Sequence, residues 1–143
     1  MIPPPYISPM PNRDTDSPRW DDLLVFLPEL ESPDFAPGES HMPEGHLPYY
    51  SLGDTGSRLM KACYASGVMV DFDWAAWQAP ARELAENPRA LERADLLTLR
   101  KLLTGHLRND RFCEGHFGEV LESGHIAAIL RRAAQLLGAA PPR

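Results

Sequence analysis

The clearest periodic pattern lies in the C-terminal half of the chain, where apolar residues recur at the three- and four-residue spacing of an α-helix. Asp95 is a suitable N-cap for the first of these helices, and Gly124 and Gly138 are suited to end the next two. We expect these three helical segments to form the centre of the fold. The side chains predicted to be buried are Leu96, Leu99, Leu103, Phe117, Leu121, Ile126, Ile129, Leu130 and Leu137.

Two shorter helical patterns precede residue 67. The first starts near Ser17-Pro18 and ends or bends at Pro28, because proline lacks the donor that a helix interior needs. Its apolar stripe consists of Trp20, Leu23, Leu24 and Leu27. A loop is predicted from there to about residue 50. The second helix should run from about Thr55 to Ser66 and stop at Gly67.

Residues 68–88 predict short elements only. Val68–Val70 is β-prone and is either an extended connector or one minor strand; we favour the connector, because no partner strand is evident. Helical turns are expected at residues 73–77 and 81–86, with Pro80 interrupting them, and Asn87-Pro88 should start another.

The distribution of proline divides the chain. Eleven of the 15 prolines fall in residues 1–48, and the Pro3–Pro5 run predicts an extended arm. We expect a proline-rich arm over residues 1–16, a single helical domain over 17–138 and a short tail over 139–143. The fold class predicted is mainly α, a compact multi-helix domain with a proline-rich extended N-terminal arm and room for one minor strand.

Charge and composition restrict the function. The net charge is −6, with 5 basic and 14 acidic residues in positions 1–88 against 9 and 6 in positions 89–143. This acidity disfavours direct nucleic-acid binding. No apolar run reaches the roughly 18–20 residues that span a bilayer, so no membrane association is expected. Two widely spaced cysteines without a secretory signal favour a reduced, cytoplasmic protein.

One dense polar stretch, residues 106–116, concentrates the side chains that could do chemistry. In the structural interpretation, Asp110 and Glu114 cap a helix and pair with Arg108 and Arg111, while residues 112 and 113 turn into the core. On this interpretation the guanidinium of Arg111 should be paired with a carboxylate.

Other interpretations remain open. Cys113 and His116 have metal-ligand spacing, which His106 or His125 could complete, but one ligand pair is too few for us to expect zinc. His116 could serve as a base with Glu114, or activate Cys113. Binding could instead use a basic stripe formed by Arg100, Thr104, Arg108 and Arg111, or an aromatic platform formed by Trp74 and Trp77.

Several short motifs together resemble a bacterial family of small domains of unknown function. The resemblance rests on the combination of Arg111-Phe112-Cys113-x-Gly115-His116 with the run Gly124-His-Ile-Ala-Ala-Ile-Leu-Arg-Arg132, since either piece alone is weak. The resemblance covers roughly residues 23–137. It implies one compact domain, and it implies no activity and no catalytic residue.

These observations favour a non-enzymatic interaction protein that binds another protein through its acidic N-terminal portion. An acidic inhibitor or regulator of a nucleic-acid-binding machine is one form of this hypothesis. The alternative is a small enzyme or ligand-binding domain centred on Arg108, Asp110, Arg111, Glu114 and His116. We assign no catalytic residue and expect no cofactor and no bound metal.

Overall fold

Helices dominate residues 18–138, which are the part of the chain that the computed structural model describes. They are α1 (Asp21–Leu24), α2 (Leu27–Leu30), α3 (Asp54–Ala65), α4 (Gln78–Glu86), α5 (Pro88–Leu91), α6 (Leu96–Asp110), α7 (His116–Glu122) and α8 (His125–Leu137). A 3-10 turn spans Ala75–Trp77, and one hairpin pairs β1 (Gly38–His41) with β2 (Tyr49–Leu52). The mainly α prediction is confirmed. The predicted arm, residue 17 and the predicted tail lie outside the described residues.

Helix α8 lies at the centre of the core. It contacts α1, α2, α5, α6 and α7, and seven of its side chains are buried. An apolar stripe that is buried from several directions is the main stabilising feature of such a helix. The three C-terminal helices thus form the predicted centre. The first apolar stripe is also buried as predicted, although its residues form two short helices, with Pro28 in the first turn of the second.

The local start signals operate as predicted. The carboxylate of Asp95 accepts a hydrogen bond from the N–H of Thr98 at 2.8 Å, and Asn87 accepts one from Arg89 at 3.1 Å. Each satisfies a donor that has no partner inside the helix. Gly67 follows α3 with φ of 85°, a left-handed conformation that glycine adopts without strain.

The hairpin corrects the prediction that residues up to about 50 form only a loop. Its register pairs Ser40 with Tyr50 and His41 with Tyr49. Tyr49 is exposed and Tyr50 is half-buried, so one face of the hairpin meets solvent and the other packs on the helices. The Val68–Val70 segment is the extended connector that we favoured.

Three further predictions need correction. Pro80 does not break a helix, because it occupies the first turn of α4, where a backbone donor is not required. Leu137 is 44% exposed, since the last turn of α8 extends past the core, and Leu96 is only partly buried.

Within the described residues, no helix is long and apolar enough to cross a bilayer.

Candidate functional site

The two carboxylates of the polar stretch bind backbone amides. The Asp110 Oδ1 atom accepts a hydrogen bond from the N–H of Phe117 at 2.9 Å, which caps α7. The Glu114 Oε2 atom accepts one from the N–H of Tyr50 at 2.7 Å, which holds β2 beside the turn between α6 and α7. The cap predicted for Asp110 is therefore confirmed, whereas Glu114 binds a strand that the sequence did not reveal.

The predicted ion pair of Arg111 is wrong. Among residues 18–138, no carboxylate lies within ion-pair distance of Arg108 or Arg111. The physical reason is the direction of the turn. Phe112 is 76% exposed and Cys113 is exposed, so both point away from the core that we expected them to fill. Arg111 is consequently not drawn out of water and does not require a counter-charge.

Tyr50 occupies a slot that is lined by glycines. A Cβ atom at Gly38 or Gly118 would collide with the hydroxyl end of the Tyr50 ring, and one at Gly115 would lie 3.4 Å from its Cγ. Burial, followed by the nearby carboxylates of Glu122, Asp110 and Glu119, raises the pKa of the Tyr50 phenol. The tyrosine thus fastens the hairpin to α7. The only signal in the sequence was the pair of glycines around the start of α7, Gly115 just before it and Gly118 within it.

Three histidines from three helices meet inside the domain. The His106 Nδ1 and His116 Nε2 atoms are 3.1 Å apart, and the ring of His125 approaches that of His106 edge-on, with centroids 5.2 Å apart. The Nε2 atoms of His106 and His125 are buried without a hydrogen-bond partner. Burial is the main cause that lowers the pKa of His106 to about 3, and it lowers that of His125 to about 4. Both rings are therefore neutral at physiological pH.

The histidine cluster does not bring together the Cys113–His116 ligand pair that we considered for a metal and did not expect to hold one. Cys113 is exposed, whereas His116 directs its Nε2 atom towards His106. Across residues 18–138, no group of three or more His, Cys, Asp or Glu side chains is arranged to hold a metal ion. The other cysteine, Cys63, is buried, and burial raises the pKa of its thiol to about 12, which removes its nucleophilic form.

The predicted basic stripe on α6 is not a continuous surface. Arg100 donates hydrogen bonds to the carbonyl oxygens of Val68 and Gly67, both at 3.1 Å. Thr104 is 1% exposed, and its hydroxyl accepts a hydrogen bond from the N–H of Val70 at 3.0 Å. These two residues hold the extended connector against α6, while Arg108 and Arg111 lie at the opposite end of the helix.

The two indoles do not form one platform. Trp77 meets Phe72 edge-on at 5.7 Å, and the Lys101 ammonium lies over both rings. Trp74 instead stacks on Phe112, with ring centroids 6.0 Å apart. Both tryptophans are half-buried. Trp77 therefore belongs to the edge of the core, and Trp74 supports the exposed turn.

Exposed apolar side chains line two hollows beside the hairpin. One hollow of about 340 Å³ is lined by Asp110, Arg111 and Phe112. A second hollow of about 270 Å³ is lined by Met42 and Tyr49. The two adjoin, because Tyr50 and Glu114 line both. Leu47 lies in the hairpin loop. We define the hairpin face as Met42, Leu47, Tyr49 and Phe112, which are 79%, 87%, 49% and 76% exposed.

The alternative function, a small enzyme or ligand-binding domain, requires the side chains of the polar stretch to converge on one pocket. Asp110, Arg111 and Glu114 do line the 340 Å³ hollow. His116 and Arg108 do not line it, and His116 is engaged with His106. The predicted set therefore does not form one pocket: Asp110, Arg111 and Glu114 line an open hollow, His116 belongs to the histidine cluster, and Arg108 belongs to neither.

Residues 15–139 match the model of a family described as a family of unknown function (DUF6508). The chain belongs to this family. The match spans the whole helical domain and agrees with the family resemblance drawn from the sequence, while the motif by which we drew it stays a prediction. A search of curated proteins and a search of solved structures each returned no match.

Proposed function

We propose that this DUF6508 member is a non-enzymatic protein that binds another protein through the hairpin face. The observation that supports the proposal most is the exposure of Met42, Tyr49 and Phe112 beside two hollows that share Tyr50 and Glu114. Methionine and aromatic side chains are enriched at the centres of protein interfaces, and contiguous exposed apolar patches mark such sites.

The surface is also held in place before any partner arrives. Tyr50 is fixed between glycines, and Glu114 bonds its backbone N–H. Trp74 stacks on the exposed Phe112. A surface that is already ordered loses less conformational entropy on binding, which favours affinity.

The charge of the region favours a basic partner. No Lys or Arg occurs between Arg19 and Arg58, whereas eight Asp and Glu residues do. Glu39 and Glu44, in the hairpin itself, form no ion pair with any described residue. A basic protein surface would complement these carboxylates and associate faster. Inhibition or regulation of a nucleic-acid-binding machine in the bacterial cytoplasm is the narrower form of this proposal.

Cross-linking in the native cell, followed by mass spectrometry, tests the proposal with two matched variants. The double variant Met42→Ser/Phe112→Ser removes apolar contacts from the hairpin face. The control Val25→Ser/Leu97→Ser removes side chains that are 65% and 50% exposed elsewhere. We expect Lys- and Arg-rich proteins whose cross-linked yield falls about tenfold or more in the first variant only. Equal yields from both variants would disprove the assignment of the face.

A further inference from the structure

The two edges of the hairpin differ in their hydrogen bonding. On the β2 edge, the Glu114 carboxylate accepts the N–H of Tyr50 at 2.7 Å. This bond points away from β1, so Tyr50 belongs to a position whose backbone groups face outward. Glu114 thereby occupies the place that an additional strand would need on this side, a common protection of strand edges.

The β1 edge carries no such protection. Ser40 is the partner of Tyr50 in the register. Residues that lie opposite each other in an antiparallel pair direct their backbone groups either towards each other or both outward. The N–H and C=O of Ser40 therefore face away from β2, as do those of Gly38 two residues earlier. No hydrogen bond from any described residue reaches these outward groups, and Ser40 is exposed.

The side chains along β1 indicate what could pair there. Glu39, His41, Tyr49 and Ser51 share the solvent face of the hairpin, because alternate residues point to the same side. His41 stacks on Tyr49 at 4.6 Å and has its Nε2 atom 2.6 Å from the Ser51 hydroxyl. Glu39 remains as an exposed carboxylate without an ion pair among the described residues.

We propose that an extended, Lys- or Arg-bearing segment of the partner adds to β1 as a third strand. Its backbone bonds the outward groups of Gly38 and Ser40, and a basic side chain on its solvent face pairs with Glu39. This inference rests on the proposed function and specifies how that partner binds. A second copy of the chain is the less suitable occupant, because pairing two β1 strands would bring acidic hairpins together.

A labelled, end-blocked peptide of about eight residues, in which lysine and valine alternate, probes the edge by fluorescence anisotropy with the full chain. Two further peptides carry N-methyl groups on the valine amides or on the lysine amides. All three share their charge and side chains, but each methylated peptide lacks the donors of one strand edge. We expect one methylation pattern to weaken binding about tenfold or more and the other to leave it unchanged.

Two protein variants check the location. Glu39→Gln should weaken binding several-fold and reduce its salt dependence, whereas Asp21→Asn, in an exposed position on α1, should not. Equal effects of the two methylation patterns would overturn strand addition. The proposed function does not depend on strand addition. It stands if strand addition is overturned and the Met42→Ser/Phe112→Ser variant still loses its partner in the cell. Self-association in sedimentation that Glu39→Gln strengthens would identify a second copy as the occupant and also overturn the proposal.

Discussion

The carboxylate of Asp110 accepts a hydrogen bond from the backbone N–H of Phe117 at 2.9 Å, so the last residue of α6 caps the first turn of α7. Replacing Asp110 with Ala should destabilise the domain by about 1 kcal/mol, within the usual range of N-cap losses. Asp110→Asn retains an acceptor oxygen and should lose only a fraction of that. Urea unfolding of both variants measures the difference, and equal losses would show that the side-chain oxygen does not cap α7.

Two helical glycines should respond oppositely to alanine. Gly105 lies inside α6 with open space where its Cβ would be, so Gly105→Ala should stabilise the domain by roughly 0.5–1 kcal/mol through helix propensity. Gly118→Ala should instead destabilise it by about 1–3 kcal/mol, because the new methyl group meets the Tyr50 ring. Thermal unfolding compares the two. Stabilisation by both would show that Tyr50 does not occupy the slot.

Arg100 and Arg111 should differ in their contributions to stability. Arg100 donates two hydrogen bonds to backbone carbonyls of the connector, and its truncation to Ala should cost about 1.5–3 kcal/mol. Arg111 is exposed and makes no ion pair among residues 18–138, so Arg111→Ala should stay within about 0.5 kcal/mol of the parent. Chemical unfolding separates the two cases. A large loss for Arg111→Ala would restore the structural role predicted from the sequence.

Stability should fall as the pH is lowered from about 6.5 towards 4. The pKa values of His106 and His125 are lowered to about 3 and about 4, so the unfolded chain binds protons at pH 5 that the native domain does not. Each histidine should therefore cost about 2 kcal/mol of unfolding free energy at pH 5 relative to pH 7.5. The pKa values of Glu29 and Asp95 are also lowered, but carboxylates bind protons at a lower pH than histidines do, so they affect stability mainly below this range.

Urea unfolding at pH 7.5 and pH 5.0 tests this dependence. His125→Leu should remove about half of it, and His46→Gln, which changes an exposed loop histidine, should retain all of it. If His125→Leu does not fold, the parent and His46→Gln still decide the matter. A free energy of unfolding that is the same at both pH values would contradict the burial of the neutral rings.

The elements that the sequence predicted correctly are those determined by residues close together in the chain. Asp95 caps α6 because its acceptor lies three residues from the donor, and Gly67 ends α3 because its own φ is positive. The apolar stripes of α6 and α8 predicted the side chains that these helices bury, since a helix brings residues three and four apart onto one face. The resemblance to a family of unknown function was also drawn from short runs of the chain, and the family match agrees with it.

Tertiary structure alone decided the hairpin and the candidate surfaces. Strands of four residues have little propensity signal of their own, and these are held by Tyr50 in its glycine slot and by Glu114, 64 residues further along the chain. The histidine cluster needs three helices to meet. Phe112 was predicted to point inward because it is apolar, yet the turn between α6 and α7 leaves it exposed and stacked on Trp74. Local rules specify neighbours along one helix, whereas the packing of separate elements determines which side chains remain exposed to bind a partner.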